Sequence, residues 1–504
     1  MAKSSRRRRA AKLNAKKGSQ DDRISSLPND ILVNILDRLD VRDAVRTSVL
    51  SRRWSQLPAM LPQLRINAQD ILPSKIKTGM SDDELVRMSN AVVIKATKSI
   101  LARRDPVECT IRFFSATFYL SDDAPLSVGH AVGSAMVTHK IEKAEFRVLT
   151  QKKRLECTIG DMLTYGKRFV LFFNKCLNAF AGLTRLCLQN LRFAESDFVS
   201  NILVTCKQLN YLGFLNCDTK SWITLQVEHA QLSELSIVNC RFDMVELTWL
   251  PKLTCLAFEI WIAFNEPPLS FGYVPLLEVL SLSNVAYNRH KMVKLSTFLG
   301  ETSVRDLKLG FKCEKIWVQP ECLAGRQAHV FHQLRILRLF GIPEGYDLTW
   351  TMFYLEAAPS LEELYMTVVD HPCEMEMDEK VRRRESYSEN KGVQWESPTP
   401  NFKHHRLTKL AFFCFQSEEY MVSHVRRVMK AAVNLGDVYL YDRVTCIYCE
   451  GVEPLKPIVF PKTDEQMSSV EKQIREGTES PAIIHFLSAA EISDDYLARI
   501  CEDG

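Results

Sequence analysis

Two hydrophobic periodicities organise the chain. The first is short and helical. Across residues 28–39, Ile31, Leu32, Ile35, Leu36 and Leu39 fall at i, i+1, i+4, i+5 and i+8, a single apolar stripe on a helix. Pro28 suits a first helical turn, and Asp30 complements the positive end of the helix dipole. Asp40 can cap a second helix, on which Val41, Ala44, Val45 and Val49 share a face. Ser51-Arg52-Arg53-Trp54 then begins a third helical turn or loop. Three such short helices enclose very little core, so the unit is expected to gain from docking onto a partner.

The second periodicity is longer. A unit Leu-x-x-Leu-x-Leu, often followed by Asn or Cys, starts at Leu183, Leu209, Leu232, Leu253, Leu277, Val304, Leu334, Leu361, Leu407 and Leu435. A degenerate copy sits at Ile141-Ala144-Phe146, and Asn190, Asn216, Asn239 and Asn284 mark the ends of four units. Most spacings lie in or near the roughly 20–29 residues of leucine-rich repeats. Each Leu-x-Leu is a short strand with alternate residues on one side, and no repeat buries its own leucines without stacked neighbours. The expected fold is an α/β horseshoe with a parallel sheet on its concave face, of uneven curvature because the spacing varies.

Residues between the buried leucines point to the concave solvent face. In the C-terminal repeats these are Ile336, Arg338 and Phe340; Glu363, Tyr365 and Thr367; Lys409, Ala411 and Phe413; and Asp437, Tyr439 and Tyr441. Arg and aromatic residues are common interface hot spots. Arg338, Phe340, Tyr365, Lys409, Phe413, Tyr439 and Tyr441 are therefore the candidate target-binding set. The alternative is ordinary strand residues, since aromatics favour strands anyway.

The start-to-start step of 46 residues from Leu361 to Leu407 marks an insertion. Residues 371–400, dense in both charges and containing Ser-Pro-Thr-Pro, read as an exposed loop.

Charge changes the picture at one end. The chain of 504 residues has a formal net charge of +4, yet Lys3, Arg6, Arg7, Arg8, Arg9, Lys12, Lys16 and Lys17 stand in residues 1–20 without an acid. That +8 leaves −4 on residues 21–504, so the body is not a basic nucleic-acid-binding surface; any such affinity would sit in the tail. Residues 1–20 are too polar to bury a core and are expected to be disordered. Arg6, Arg7, Arg8, Arg9, Lys12, Lys16 and Lys17 form a candidate nuclear localisation signal, the alternative being a solvated basic tail.

Fifteen cysteines are scattered rather than set in a dense framework. The N-terminus has no apolar signal-peptide core, and no run has the apolar length of a membrane span. The expectation is an intracellular, reducing compartment, nucleus and/or cytoplasm. No phosphate-binding loop, dinucleotide fingerprint, zinc-protease motif or nucleophile elbow is present. Cys446-x-x-Cys449 has no second pair to complete a zinc site, and His404-His405 reads as structural. No catalytic residue, metal or cofactor is expected.

The helical segment also carries a resemblance. Ile24, Leu27-Pro28, Asp30-Ile31-Leu32 and Ile35-Leu36, then Ala44-Val45, Ser48-Val49-Leu50-Ser51-Arg52-Arg53-Trp54, resemble an F-box. The resemblance implies docking onto a Skp-type adaptor, which itself sits on a cullin scaffold. Carried over by position, the adaptor contacts would be Leu27, Pro28, Ile31, Leu32, Ile35, Leu36, Val45, Val49 and Trp54; the alternative is that these form the internal core, and some must.

Trp395 and Asn401–Leu410, with a helix over 418–432 and a strand over 434–441, resemble the opening of the FBD region of plant F-box proteins. Together the resemblance is to plant F-box/leucine-rich-repeat proteins. It implies a non-catalytic substrate-recognition subunit of a ubiquitin ligase; the alternative is a repeat scaffold with some other binding role.

The expected order is a basic tail (1–20), an F-box (24–66), a linker with irregular first repeats (67–140), leucine-rich repeats (141–370), the loop insertion (371–400), FBD-like terminal repeats (401–462) and a tail of polar helices (463–504).

Overall fold

The computed structural model describes residues 24, 26–39, 41–72, 80–102, 104, 110–121, 123–195, 197–261, 268–284, 292–311, 316–321, 330–343, 346–369, 395, 399, 401–442 and 459–489. The basic tail, Asp40, most of the 371–400 insertion and the Cys446/Cys449 pair lie outside the described residues. The chain divides into two compact units, residues 1–157 with 167–186, and residues 158–166 with 187–504.

The first unit opens with the two expected helices, α1 (Asn29–Leu36) and α2 (Val41–Arg46). The expected third helix is a pair of 3₁₀ turns, Thr47–Val49 and Leu57–Met60, with Ser51–Trp54 as the turn between them. Residues 67–140 are more regular than the sequence suggested. Strands β1 (Gln63–Asn67), β2 (Phe113–Tyr119) and β3 (Ala144–Leu149) run parallel and in step, Ile66 beside Ala116 and Ala116 beside Phe146. Helices α3 (Asp82–Ala102) and α4 (Ala124–Val137) make the crossovers that parallel strands require.

Ser81 and Glu84 cap α3 reciprocally. Glu84 N donates to Ser81 Oγ at 3.4 Å, and Ser81 N donates to Glu84 Oε2 at 3.1 Å. Buried Asn90 ties α3 to the end of β2, donating to Tyr119 O and accepting from Tyr119 N, both at 3.0 Å. Phe118, Phe146, Phe172 and Phe180 form an edge-on aromatic core. Phe172 comes from α5 (Ile159–Lys175) and Phe180 from α6 (Leu177–Ala181). A side chain at Gly129 would put its Cβ 2.6 Å from both Phe172 and Cys176, so this close approach requires glycine.

After β4 (Leu183–Gln189), the second unit is built on ten parallel strands among the described residues. They are β6 (Tyr211–Leu215), β9 (Glu234–Val238), β11 (Cys255–Trp261), β13 (Val279–Asn284), β14 (Asp306–Phe311), β15 (Ile336–Pro343), β16 (Glu363–Val369), β17 (Lys409–Phe413), β18 (Asp437–Tyr441) and β19 (Ile483–Leu487).

Leu212, Leu235, Leu256, Leu280, Leu307, Leu337, Leu364, Leu410 and Val438 align in register and are buried, as stacked repeats demand. On the other layer, three repeats carry strands rather than helices: β8 (Thr224–Glu228), β10 (Met244–Trp249) and β12 (Leu269–Tyr273) form a small parallel sheet in the order β12-β10-β8. Strands β5 (Arg192–Phe193) and β7 (Asp218–Thr219) form a two-residue pair. Helices α7 (Phe198–Thr205), α8 (Leu295–Leu299), α9 (Met352–Ala357) and α10 (Glu419–Ala431) fill the layer elsewhere.

The asparagines after the strands have a clear role. Asn190, Asn216 and Asn239 all have positive φ, near 50°. Asn216 Nδ2 donates to Asn190 Oδ1 at 2.7 Å, and Asn239 Nδ2 donates to Asn216 Oδ1 at 3.1 Å. Asparagine tolerates this conformation and bonds the next repeat at once. Asn284 does not join the ladder. It sits in β13 opposite Trp261 with no positive φ, and the rung before it is Ile260 at φ 54°.

Two buried histidines clamp repeats together in one manner. His229 contacts Cys206 O through Nε2 at 3.1 Å and accepts from Gln231 N at Nδ1. His404 contacts Ala358 O at 3.0 Å and accepts from Leu407 N at 3.0 Å. His404 is thus a buried, fully bonded link between two repeats.

The C-terminal segment differs from its expected form. Residues 463–489 give one polar helix, α11 (Asp464–Arg475), with a Thr463/Gln466 capping box, and then β19, a further strand pairing with β18.

Candidate functional site

The helical segment divides its apolar residues between two faces. Leu32 (0% exposed), Leu36, Ala44, Trp54, Leu57 and Leu61 are buried. Ile24, Ile31, Ile35, Leu39, Val45, Val49 (87%) and Leu50 (64%) face solvent. The stripe read from the sequence was therefore two faces side by side. On α1, residues 32 and 36 point in, while 31 and 35, one turn apart, point out, and Leu39, just beyond the helix end, is exposed as well.

The structure thus splits the candidate adaptor contacts. Leu32, Leu36 and Trp54 are buried core residues. Pro28, Ile31, Ile35, Val45 and Val49 are exposed, and Leu27 is half-buried. Ile24, Leu39 and Leu50 belong to the outward set although the sequence reading did not select them. Leu39 lies on the same helical stripe and was the available signal.

Exposed apolar side chains so concentrated on a small unit mark a protein contact surface. Arg53 holds this surface in shape. Its Nε donates to Asn29 Oδ1 at 2.8 Å and its Nη2 to Leu27 O, fixing the last turn against the start of α1.

The second candidate set lies on β14–β19, on the sheet face opposite the leucine core. Its members come together, but not as a free surface. Tyr365, Ala411 and Phe413 are buried, with Ile336, Tyr439 and Tyr441 packed against them. Tyr365 and Phe413 are therefore supports rather than contact residues.

The cations are paired. Arg338 bonds Asp306 and stands over the Tyr365 ring at 5.5 Å. Lys409 stands over Tyr365 at 5.1 Å and Tyr439 at 5.5 Å, donates to Tyr365 Oη at 3.1 Å, and lies 3.9 Å from Glu363. Tyr365 Oη donates to Glu363. Lys308 stands over Phe340 at 5.4 Å and 3.8 Å from Glu259. Phe413 and Tyr441 stack at 4.5 Å, and Tyr439 stacks on His485 at 4.7 Å. His485 Nε2 lies 2.8 Å from Asp437.

Half-exposed cation–π pairs contribute about 0.5–1 kcal/mol each, so the array is a stiff, preorganised surface. Asp306, Glu363, Asp437 and His485 complete it. The sequence reading missed their pairing because partners on adjacent strands are set by register, not by sequence spacing.

Among the described residues no group of three His, Cys, Asp or Glu could hold a metal ion, and no helix is long and apolar enough to cross a membrane. Burial pushes the Cys217 thiol well above its ordinary range, aided by Cys240, and pushes the Cys206 thiol up to about 12. Neither thiol is a reactive thiolate.

An F-box domain model matches residues 24–64, and the model described as "At1g61320/AtMIF1, LRR domain" matches residues 172–476, more than half of the chain. The chain belongs to the plant F-box/leucine-rich-repeat proteins.

Three Arabidopsis thaliana proteins illustrate the likeness. F-box/FBD/LRR-repeat protein At2g04230 is 25% identical, over 44% of this chain and 48% of its own length. F-box/FBD/LRR-repeat protein At4g00160 is 25% identical over 69% and 72%. Putative F-box protein At1g67390 is 40% identical over 16% and 15%. The match spans about half the length of the first of these. In this F-box/leucine-rich-repeat protein, the FBD-like stretch is where Trp395 N donates to Thr349 Oγ1 at 3.3 Å and its ring stands edge-on to Phe353.

Proposed function

We infer that this F-box/leucine-rich-repeat protein is the substrate-recognition subunit of an SCF-type (Skp-cullin-F-box) ubiquitin ligase. The outward face of Pro28, Ile31, Ile35, Leu39, Val45, Val49 and Leu50 docks a Skp-type adaptor and, through it, a cullin. The repeats hold the target protein, and the contribution to ubiquitination is proximity and orientation.

The observation that carries this reading is the exposure of large aliphatic side chains on a unit whose own core is already filled by Leu32, Leu36 and Trp54. In the test, the full chain is mixed with a Skp-type adaptor and a cullin and run on a sizing column. Co-elution of the three, lost in Ile35→Asp, is the expected result. A chain that elutes alone overturns the reading and leaves a repeat scaffold.

The β14–β19 face supports target capture. The variants of choice are Arg338→Ala, Lys409→Ala and Tyr439→Ala, because these side chains are half-buried whereas Tyr365 and Phe413 are buried. Loss of target ubiquitination with adaptor binding intact is expected; full target ubiquitination by all three sinks this assignment. The basic tail is proposed to direct nuclear import, and a reporter carrying residues 1–20 that stays out of the nucleus contradicts it.

A further inference from the structure

The β14–β19 face carries its charges in two lines that cross the strands. Asp306, Glu363 and Asp437 stand in one register row, with Ile336 and Lys409 between them. Lys308, Arg338, Tyr365, Tyr439 and His485 stand in the next row on the same face, two residues further along each strand. The first row is mostly acidic, and the second offers bases and phenols.

The acids occupy β14, β16 and β18, every second strand of the sheet. Neighbouring strands lie about 4.8 Å apart, so the carboxylates repeat at about 9.6 Å. Each engages its own neighbour through one oxygen. Asp306 Oδ1 accepts from Arg338, Glu363 Oε2 accepts from Tyr365, and Asp437 Oδ1 meets His485. Their second oxygens carry no hydrogen bond among the described residues. The Asp306, Glu363 and Asp437 side chains are 20%, 35% and 42% exposed, so a partner can reach them.

The cations are drawn down onto rings. Lys308 lies over Phe340, Arg338 over Tyr365, and Lys409 over Tyr365 and Tyr439. The second row therefore presents hydrogen-bond donors more than free charge. Arg338 uses Nη1 alone on Asp306 among the described residues, and the Tyr439 ring beside it is half-buried. Tyr439 with His485, and Phe413 with Tyr441, form near-parallel ring pairs at 13° and 3°.

A segment that fits this face presents a cation about every 9.6 Å on one side, and carbonyl groups and apolar rings on the other. An α-helix repeats a face after seven residues, at about 10.5 Å, and falls about 2 Å out of step over two intervals. An extended strand repeats a face at about 6.7 or 13 Å. Polyproline II repeats every third residue at about 9.3 Å and makes no internal hydrogen bonds, so all its carbonyls are available. When rich in proline it also has few N–H groups to satisfy.

We propose that the β14–β19 face takes up a proline-rich segment of the target in the polyproline II conformation, lying across the strands with Arg or Lys at every third position. The bases meet Asp306, Glu363 and Asp437. The carbonyls accept from Arg338 and the Tyr439 hydroxyl, and the prolines pack on the ring pairs, the usual surface for such segments. This assignment rests on the reading that the face captures the target, and adds what the target must present.

Fluorescence anisotropy of the full chain with labelled synthetic peptides tests it. A peptide of repeated Arg-Pro-Pro is expected to bind saturably. Repeats of Glu-Pro-Pro, of Arg-Gly-Gly, which keeps the spacing without the stiff helix, and of Arg-Pro-Pro-Pro, which breaks the spacing, should each bind about tenfold more weakly or worse. Asp437→Asn and Glu363→Gln should each weaken Arg-Pro-Pro binding by about tenfold. Tyr439→Phe, which keeps the ring and removes the hydroxyl, should weaken it by about fivefold. Thermal midpoints within a few degrees of wild type show that these variants are folded.

No binding at about 1 mM Arg-Pro-Pro peptide overturns the proposal. So does equal binding of the Glu-Pro-Pro or Arg-Pro-Pro-Pro peptide, or binding unchanged in both Asp437→Asn and Glu363→Gln. If the peptides fail while Arg338→Ala, Lys409→Ala and Tyr439→Ala abolish target ubiquitination, only the segment is wrong. If those three variants leave target ubiquitination complete, the face is not the capture site and the proposal falls with it.

Discussion

Ile260 stands where the asparagine ladder should continue. It follows Phe258, the last position of its Leu-x-x-Leu-x-Phe unit, at the offset that Asn239 holds after Ile237, yet it is β-branched and has φ 54°. A left-handed conformation costs an ordinary residue about 1–2 kcal/mol, and a β-branched one is a true outlier there. Asn239 N donates to Glu259 O at 2.9 Å, so the main chain already follows the ladder path up to this rung. Asn239 Nδ2 donates to Asn216 Oδ1, so a further asparagine at 260 would continue the ladder by donating in turn to Asn239 Oδ1.

Ile260→Asn should relieve about 1 kcal/mol of strain and add a hydrogen bond of about 1 kcal/mol. Removing a half-buried isoleucine offsets about 1 kcal/mol of that. The net expectation is a gain of about 1 kcal/mol. Two companions separate the contributions. Ile260→Ala loses the side chain and keeps most of the strain, whereas Ile260→Gly loses both. The predicted order of stability is Asn above Gly above Ala, with about 1 kcal/mol between Gly and Ala. Urea denaturation followed by tryptophan fluorescence, with hydrogen exchange at residues 239–284, reads the order. Alanine equal to or above glycine would refute the strain argument, and asparagine below glycine would refute the added rung.

Other expectations are as direct. Gly341 has φ 68°, and a Cβ there would lie 2.7 Å from Phe311 O; Gly341→Ala should lower stability by about 2 kcal/mol or more, and a neutral effect in urea denaturation would contradict the close packing of β14 and β15. Acid should destabilise the repeats through buried histidine. Burial holds His424 at about 4, and His229 and His404 are also lowered, so the folded state keeps them neutral while the unfolded chain takes up protons near 6.5. Stability is therefore full above pH 6.5 and falls as the pH drops toward 4; His424 alone accounts for about 3 kcal/mol of the loss. His424→Phe should flatten that limb of the stability–pH curve, and an unchanged slope would count against it. Arg53→Ala removes two charge-assisted bonds to the start of α1 and should cost the helical unit about 1–2 kcal/mol, seen as faster hydrogen exchange over residues 29–36.

The fold was legible where geometry is repetitive. The Leu-x-x-Leu-x-Leu spacing gives strands from β4 to β18 because each leucine has only its neighbours in which to bury itself. Pieces without that signature were misjudged. Strand β1, with Leu64 and Ile66, and strand β19, with Ile484 and Phe486, are single short alternations that only their neighbours turn into repeats. The strands β8, β10 and β12 went unseen because the layer behind a leucine core can be strand or helix at similar chain length.

The candidate sites were half legible for a different reason. Residues one apart on α1 share an apolar stripe but not a face, so the periodicity that selected both Ile31 and Leu32 could not tell contact from core. On β16 and β17, side chains expected to face solvent are buried because Arg338, Lys409 and the tyrosines stack over one another across strands.

The central claim is that the outward half of the F-box face, and not its buried half, meets the adaptor. Calorimetric titration of the full chain with a Skp-type adaptor tests it most directly. Ile35→Asp combined with Val49→Asp changes only exposed positions, so the thermal midpoint should stay within a few degrees of wild type while affinity falls by about a hundredfold or more. An unchanged dissociation constant in that folded variant would contradict the account.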